Sequence, residues 1–481
     1  MANSPGRPDA APPLAKPAPR PTRPARRDVI ALVACVAQFM VVLDSTIVTV
    51  ALPDLRTSLD LSDTGQQWVV NAYLITLGGL LVVAARAGDL FGRKTVFQTG
   101  LLVFTAAGVL GGVAQDTTTL LVARVAQGLG AAALASNGLS LIAAGYAHDP
   151  IRRGRALTLW SLTGGVAAAA GLVLGGVLTQ QFGWRWVFLV NAPVGVALLL
   201  TAGLGLAPTP AADPGERRRI DVGGALAVTG ATGLFGYAVS RTTTHSWTSP
   251  GVLGTFAGAA LCTVAFVLIE RTAARPLVPL KMWRLPALRF GNLMMLVLGS
   301  AMTATLYFMS LYLQGILGYG ALRAGGAMVP LTVTMLASGM AAHRLIAVLG
   351  PRALLAGGAV TAAVGVLFLA WLPADGGFPV RFLIGSVVAG AGVGLMLLPV
   401  TVAATAGIEA RDAGAASGLL NTARQLGGAL GLAVLVTVAA QDSATDPAAV
   451  LDGYHTAFAV DGFLILLVVP LALLLPRPPR P

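Results

Sequence analysis

The sequence predicts an all-α polytopic membrane protein, and three observations predict it. Of the 481 residues, 56% are hydrophobic and 11% charged, with a mean hydropathy of +0.78, a balance that gives a soluble domain nowhere to hide its apolar surface. Apolar runs long enough to cross a bilayer core, which takes about 20 helical residues, follow one another along the chain. Nearly all the charge lies in the short stretches between them.

Hydropathy places these runs at 29–53, 67–86, 95–114, 118–143, 156–179, 186–207, 222–240, 251–269, 289–313, 323–345, 352–372, 379–402, 413–440 and 456–476, which predicts fourteen transmembrane helices. Pro53 marks the exit from the first. The seventh is rich in glycine and the thirteenth opens in polar sequence. An even number puts both termini on one side. Lys and Arg near helix ends are retained in the cytoplasm, and 25 of the 32 fall in the tails and alternate loops, against five (Arg56, Arg185, Arg241, Arg323, Arg381) on the other side. Both termini are therefore expected in the cytoplasm. The remaining two, Arg124 and Arg424, lie inside runs.

Residues 1–27 are rich in Pro, Ala and Arg and too poor in large apolar residues to fold, so a disordered cytoplasmic tail is expected. They lack the apolar core of a cleavable signal, which makes the first run a retained anchor. Residues 477–481 form a second tail. The net charge of +12 is dispersed over loops and forms no basic face, which argues against nucleic acid as a partner. None of Lys16, Lys94 and Lys281 follows a glycine, as a phosphate-cradling loop requires, so ATP is not expected. His148, His245, His343 and His455 are scattered, and Cys35 and Cys262 stand in separate runs as small packing residues. No metal, cofactor or catalytic chemistry is expected. A secondary transporter driven by an ion gradient leads, with a channel or sensor behind it.

Local motifs narrow the class. Between the second and third runs stands ARAGDLFGRKTVF, in which Asp89, Gly92, Arg93 and Lys94 match a cytoplasmic signature, while Ala85 and Ala87 stand where that pattern has Gly and Leu. LDSTIVTVALPDL (43–55), RVAQGLGAA (124–132), GLVLGG (171–176) and WRWVFLVNAPVG (184–195) add four more. Together these stretches resemble the major facilitator superfamily, and within it the fourteen-helix drug:proton antiporter-2 family, over residues from about 28 to 476. The likeness implies a major facilitator fold, with two six-helix halves at 28–207 and 286–476 around a central cavity. A linker, 208–285, carries two additional helices. It also implies proton-coupled export of small amphiphilic drugs or antibiotics by alternating access. A proton-coupled importer or metabolite exporter on the same fold, and a transport-dead membrane sensor, are the alternatives. The partners expected are a small-molecule substrate, protons and the lipid bilayer. A ratio of 29 Arg to three Lys, with abundant Ala and Gly, suggests a high-GC bacterial genome and so the inner membrane.

The resemblance assigns roles residue by residue. The loop of Asp89, Gly92, Arg93 and Lys94 is expected to latch one conformation through hydrogen bonds from a helix end and an Arg; the plainer reading is a solvated basic turn that sets topology. Gly171, Gly175 and Gly176 match the antiporter motif and allow close helix packing, with Leu172 in place of the motif's proline. HRLIAVLGPRALL (343–355) echoes the 89–94 loop at Gly350 and Arg352 but has Ala347 where the first copy has Asp89.

Asp44 is read as the one carboxylate well inside a run, with Asp461 near the outer start of the last helix. An ionised carboxylate there is costly, so it pairs with a cation or takes up a proton. A proton-coupling role is expected; organising the end of helix 1 is the structural alternative. Helix 1 runs outward and helix 4 inward, so Asp44 and Arg124 reach similar depth and are expected to meet, snorkelling of Arg124 to the interface being the alternative. Candidate cavity residues are Gln38, Asn71, Tyr73, Gln127, Asn137, Tyr307, Tyr312, Asn421 and Arg424, each equally suited to helix-to-helix hydrogen bonds. With few aromatics and no second embedded acid expected, a pocket for dications fits poorly. Neutral, zwitterionic or singly charged amphiphiles, anions included, fit better.

Overall fold

A helix satisfies its backbone N–H and C=O groups within one segment, as a bilayer core demands. The computed structural model follows that rule and contains no strand among the residues it describes, namely 27–146, 149–206, 222–242, 245–273, 282, 284–374, 380–406, 408, 413–440 and 447–475. Nearly all of the two predicted tails, and within the 208–285 linker the residues 208–221, 243–244, 274–281 and 283, lie outside the described residues.

The helices are α1 (Arg27–Leu59), α2 (Asp63–Phe91), α3 (Arg93–Gly112), α4 (Thr117–Gly145), α5 (Pro150–Phe182), α6 (Arg185–Leu189), α7 (Asn191–Gly205), α8 (Val222–Arg241), α9 (Pro250–Thr272), α10 (Pro286–Leu311), which runs into a π-helical turn (Tyr312–Ile316), α11 (Ala321–Leu369), α12 (Val380–Thr405), α13 (Ala413–Ala440), α14 (Pro447–Leu466) and α15 (Val468–Leu474). Short polar residues start several of them: Ser62, Asp116 and Asp149 accept the amides of Gly65, Thr119 and Arg152, filling donors a helix start leaves open.

Twelve helices among the described residues are long and apolar enough to cross a membrane. One of them, α11, has 49 residues, about 74 Å at 1.5 Å per residue, far more than a bilayer core of about 30 Å needs. It breaks at Gly350, with φ 75 and ψ 161. Gly92, between α2 and α3, has φ 94 and ψ 126. Both positions take a left-handed φ that side chains avoid, so the sequence echo between the two loops is also an echo of backbone shape. Helix α8 has 20 residues, but its apolar stretch, Leu226–Val239, is shorter than the spans of the twelve.

Two helix ends differ from expectation. Helix α1 does not stop at Pro53 but continues to Leu59. Proline leaves the carbonyl four residues earlier without its helical donor, and that carbonyl, on Thr49, accepts Ser310 Oγ instead at 3.0 Å. Helix α14 starts at Pro447, nine residues before the hydropathic limit at 456, because its first turns carry Asp452, Tyr454 and His455. His455 is held by the Leu372 carbonyl at 2.8 Å.

Helices α1–α7 pack into one cluster and α10–α15 into another; the clusters meet where α5 crosses α11 and where α2 crosses α13. Helices α8 and α9 pair as a hairpin, with α8 against α2 and α13. Leu253, Leu261, Val264 and Leu268 of α9 stay exposed, a surface suited to lipid.

Candidate functional site

Asp44 and Arg124 meet. Arg124 Nη1 donates to Asp44 Oδ2 at 2.5 Å, and both side chains are buried, at 1% and 0% exposure. Gln127 Nε2 and Asn191 Nδ2 donate to Asp44 Oδ1 at 2.9 and 3.0 Å. Arg124 Nε donates to Val69 O at 2.8 Å, and Nη1 donates also to Gln127 Oε1 at 3.0 Å. Helices α1, α4 and α7, with a carbonyl of α2, thus enclose an ion pair whose carboxylate holds three donors. Burying two charges is tolerable only with this degree of pairing, and removing one partner of such a pair costs about 3–5 kcal/mol. Asn191 is the member that sequence reasoning missed, although it stands in the motif at 184–195.

A cavity of about 870 Å³ lies between the two clusters. Its wall includes Gln38, Tyr73, Asn421 and Arg424 among the sequence candidates, with Trp160, Met302 and Leu306 supplying apolar surface. It extends to Arg86, Asp89 and Arg93, so it reaches the end of the bundle that carries the α2–α3 turn. Asp44 and Arg124 do not line it. The ring of Tyr73 stands between, with Arg124 Cζ 4.4 Å from its centroid and its hydroxyl donating to Val41 O at 2.9 Å.

The other candidates are elsewhere. Gln127 belongs to the ion-pair network, and Asn137 donates to Ala84 O and Ala133 O, both at 3.0 Å. Tyr307 is buried against Phe308. Tyr312 donates to Pro373 O at 2.8 Å and stacks on Phe382. Asn71 is fully buried, and neither atom of its amide has a hydrogen-bond partner.

A correction concerns Asp461. It was expected near the outer start of the last helix, but lies midway along the 448–474 span and is 1% exposed. Thr305 Oγ1 donates to its Oδ2 at 3.1 Å, and its Oδ1 has no partner. Asp44 is therefore not the sole embedded carboxylate. Thr305 lines the cavity, so Asp461 sits directly behind the wall of the second cluster, as Asp44 sits behind Tyr73 in the first.

The opposite end of the cavity is closed by backbone contact between the clusters. Ser310 Oγ donates to Thr49 O and Gln314 Nε2 to Val50 O, both at 3.0 Å. Glycine makes the approach of α5 possible: a Cβ on Gly176 would lie 2.5 Å from Leu322 Cα, and one on Gly175 2.8 Å from Ile47 O. A Cβ on Gly171 would collide with Thr46 Oγ1. Leu172, at the motif's proline position, is buried within an unbroken α5, and its carbonyl abuts Gly325.

At the α2–α3 turn, Asp89 pairs with Arg93 at 3.1 Å. Arg93 Nη1 also donates to Ser140 O at 3.2 Å, and Lys94 Nζ donates to Gly203 O and Leu206 O at 3.0 and 2.6 Å. Lys94 thereby meets carbonyls that the end of α7 leaves without helical donors. All these partners lie within the first cluster.

Residues 34–432 match the family model of the Major Facilitator Superfamily. The chain is 39% identical over 447 residues to the cephamycin export protein CmcT of Amycolatopsis lactamdurans, covering 92% of each chain. It is 38% identical to the puromycin resistance protein pur8 of Streptomyces alboniger, over 92% of this chain and 90% of the relative. The tetracenomycin C resistance and export protein of Streptomyces glaucescens is 32% identical, over 84% and 74%. Among solved structures, a bacterial homologue of the human lysosomal transporter Spinster, inward-facing and occupied, superposes with a TM-score of 0.67 at 15% identity, over 94% and 97%. With its helical bundle, central cavity and a family match over most of its length, the chain belongs to the Major Facilitator Superfamily of membrane transporters.

Proposed function

We propose that this transporter is a proton-coupled exporter of small amphiphilic molecules of the drug or antibiotic kind, working by alternating access in a bacterial plasma membrane. What carries the proposal is the buried pair of Asp44 and Arg124, one side chain away from the cavity. A carboxylate in that position can exchange its Arg partner for a proton. Proton arrival from outside neutralises Asp44 and frees Arg124; release to the inside lets the pair re-form. Each state favours a different packing of α1, α4 and α7, and a group that binds two conformations unequally shifts their balance. The resistance and export proteins among the relatives support the outward direction for the substrate.

On this reading the Asp89, Gly92, Arg93 and Lys94 turn is the inner latch, and Gly171, Gly175 and Gly176 let α5 seal the outer end. The halves are 28–207 and 286–476, with α8 and α9 inserted between them. Dividing α11 at Gly350 and counting α8 makes fourteen crossings, and the Lys and Arg distribution puts both termini in the cytoplasm. Reporters fused at the C-terminus and within 441–455 test this: the first is expected inside and the second outside.

Function is tested by expression in a pump-deficient bacterium challenged with a diverse toxin panel. The expected result is resistance to some compounds, with reduced accumulation that a protonophore abolishes. Normal expression without any change in accumulation contradicts export.

A further inference from the structure

The charges on the cavity wall are unequal. Arg86, Arg93 and Arg424 face it, and Asp89 is the one carboxylate among the described lining residues. Arg93 already occupies Asp89. Neither Arg86 nor Arg424 has an acid partner among the described residues, and Arg86 Nε is buried with no hydrogen-bond partner. Arg424 Nη2 donates to the neutral amide oxygen of Asn421 at 2.9 Å. A guanidinium has five N–H donors, so most of those on Arg424 remain for a ligand. The two embedded acids do not compensate: Asp44 is filled by three donors behind Tyr73, and Asp461 is behind Thr305.

Arg424 is also firmly mounted. Helix α13 is wedged between α10, where Gly299 abuts the Arg424 carbonyl, and α2, where a Cβ on Gly78 would lie 2.9 Å from Gln425 Cβ. Asn421 and Gln425, one turn or less away on α13, line the cavity beside it. Trp160, Met302, Leu306 and Met335 form apolar wall. A fixed, planar cation with polar neighbours, set in an apolar chamber of drug-sized volume, is a complement for one planar anion on an apolar body.

Building on the export reading above, we infer that the cavity takes amphiphiles bearing a single carboxylate, with Arg424 as the residue that holds the carboxylate and Arg86 adding positive potential toward the α2–α3 end. The consequence for energetics follows directly. An inside-negative membrane potential drives an anion outward, so export of a monoanion draws on that potential both through the proton entering and through the anion leaving. Export of a cation opposes it.

The test is binding to purified full-length protein in nanodiscs of zwitterionic lipid, without any gradient, using N-dansylphenylalanine and its neutral amide as matched fluorescent probes. A charge-assisted pair at Arg424 is expected to make the acid bind about tenfold or more tighter than the amide. Arg424→Gln should bring the acid close to the amide and leave the amide unchanged, while Arg424→Lys should keep part of the preference. Equal affinity for both probes, tighter binding of the amide, or no measurable binding of the acid to the wild type overturns the inference. The wild-type comparison decides even where a variant fails to fold. Because no transport is measured, selective binding without export sinks the export reading alone, and export without acid selectivity sinks this inference alone.

Discussion

Tyr73 separates Arg124 from the central cavity: the guanidinium carbon lies 4.4 Å from the centre of its ring, while Tyr73 itself lines the cavity wall. Its hydroxyl donates to Val41 O at 2.9 Å, and the ring itself divides the cavity from the ion pair as two neighbouring compartments. Tyr73→Ala should merge them, leaving protein abundance near normal but letting protons pass without substrate. In proteoliposomes with an imposed pH gradient, the variant is expected to dissipate the gradient several times faster than wild type, with Tyr73→Phe close to wild type because the ring remains. An unchanged leak rate in Tyr73→Ala contradicts the partition.

Closure of the end opposite the α2–α3 turn depends on Gly176 meeting Leu322 and Ala321 without a side chain. Gly176→Val should hold this end apart and lower transport by an order of magnitude or more, as overpacking of a tight contact does. The readout is thiol labelling of Val50→Cys in a background lacking Cys35 and Cys262. Val50 is buried, so labelling from outside is expected to rise in the Gly176→Val background. Equal protection in both backgrounds removes α5 from the seal.

Asp89 and Arg93 are half exposed, and an ion pair of that kind contributes at most about 1 kcal/mol to stability. Asp89→Asn should therefore leave folding intact. If Asp89 changes partners when the cavity closes at this end, the same substitution should slow turnover by about tenfold through the balance of two states. Unchanged turnover reduces the residue to a topology determinant.

The start of α4, the helix that carries Arg124 and Gln127, depends on Asp116. Hydrogen bonds from the Thr119 hydroxyl and amide hold the Asp116 carboxyl below its ordinary range. A depressed folded-state value means that the cap stabilises the fold above the unfolded carboxylate value of about 3.9 and loses that contribution as pH falls through the folded value. Thermal melting of wild type and Asp116→Ala should differ between pH 5 and 7 and converge towards pH 3. A difference that stays constant to pH 3 contradicts a role for the ionised cap.

The fold and part of the site were legible because both follow from one-dimensional patterns. Apolar runs mark helices, and opposite helix directions bring Asp44 and Arg124 to one depth. Asn191 was not legible as a ligand of Asp44, because its donor comes from a helix 147 positions away in sequence and no periodicity encodes that approach. Asp461 was misplaced because polar Asp452 and His455 hid the first turns of α14, which shifted the apparent helix start. Tyr307 and Tyr312 read as cavity residues, yet their helix turns them into the second cluster. Which face of a wholly apolar helix meets a cavity is set by packing, and sequence polarity marks it poorly.

The most direct test of proton coupling compares wild type and Asp44→Asn in inverted membrane vesicles that are given an acidic lumen. Wild type is expected to accumulate substrate, to lose that accumulation on addition of a protonophore, and to release lumenal protons when substrate is added. Asp44→Asn, nearly isosteric but unable to ionise, is expected to bind substrate with affinity close to wild type and to show no uphill uptake and no substrate-driven proton release. Full proton-driven accumulation by Asp44→Asn contradicts the account and leaves the buried pair with Arg124 a structural role alone.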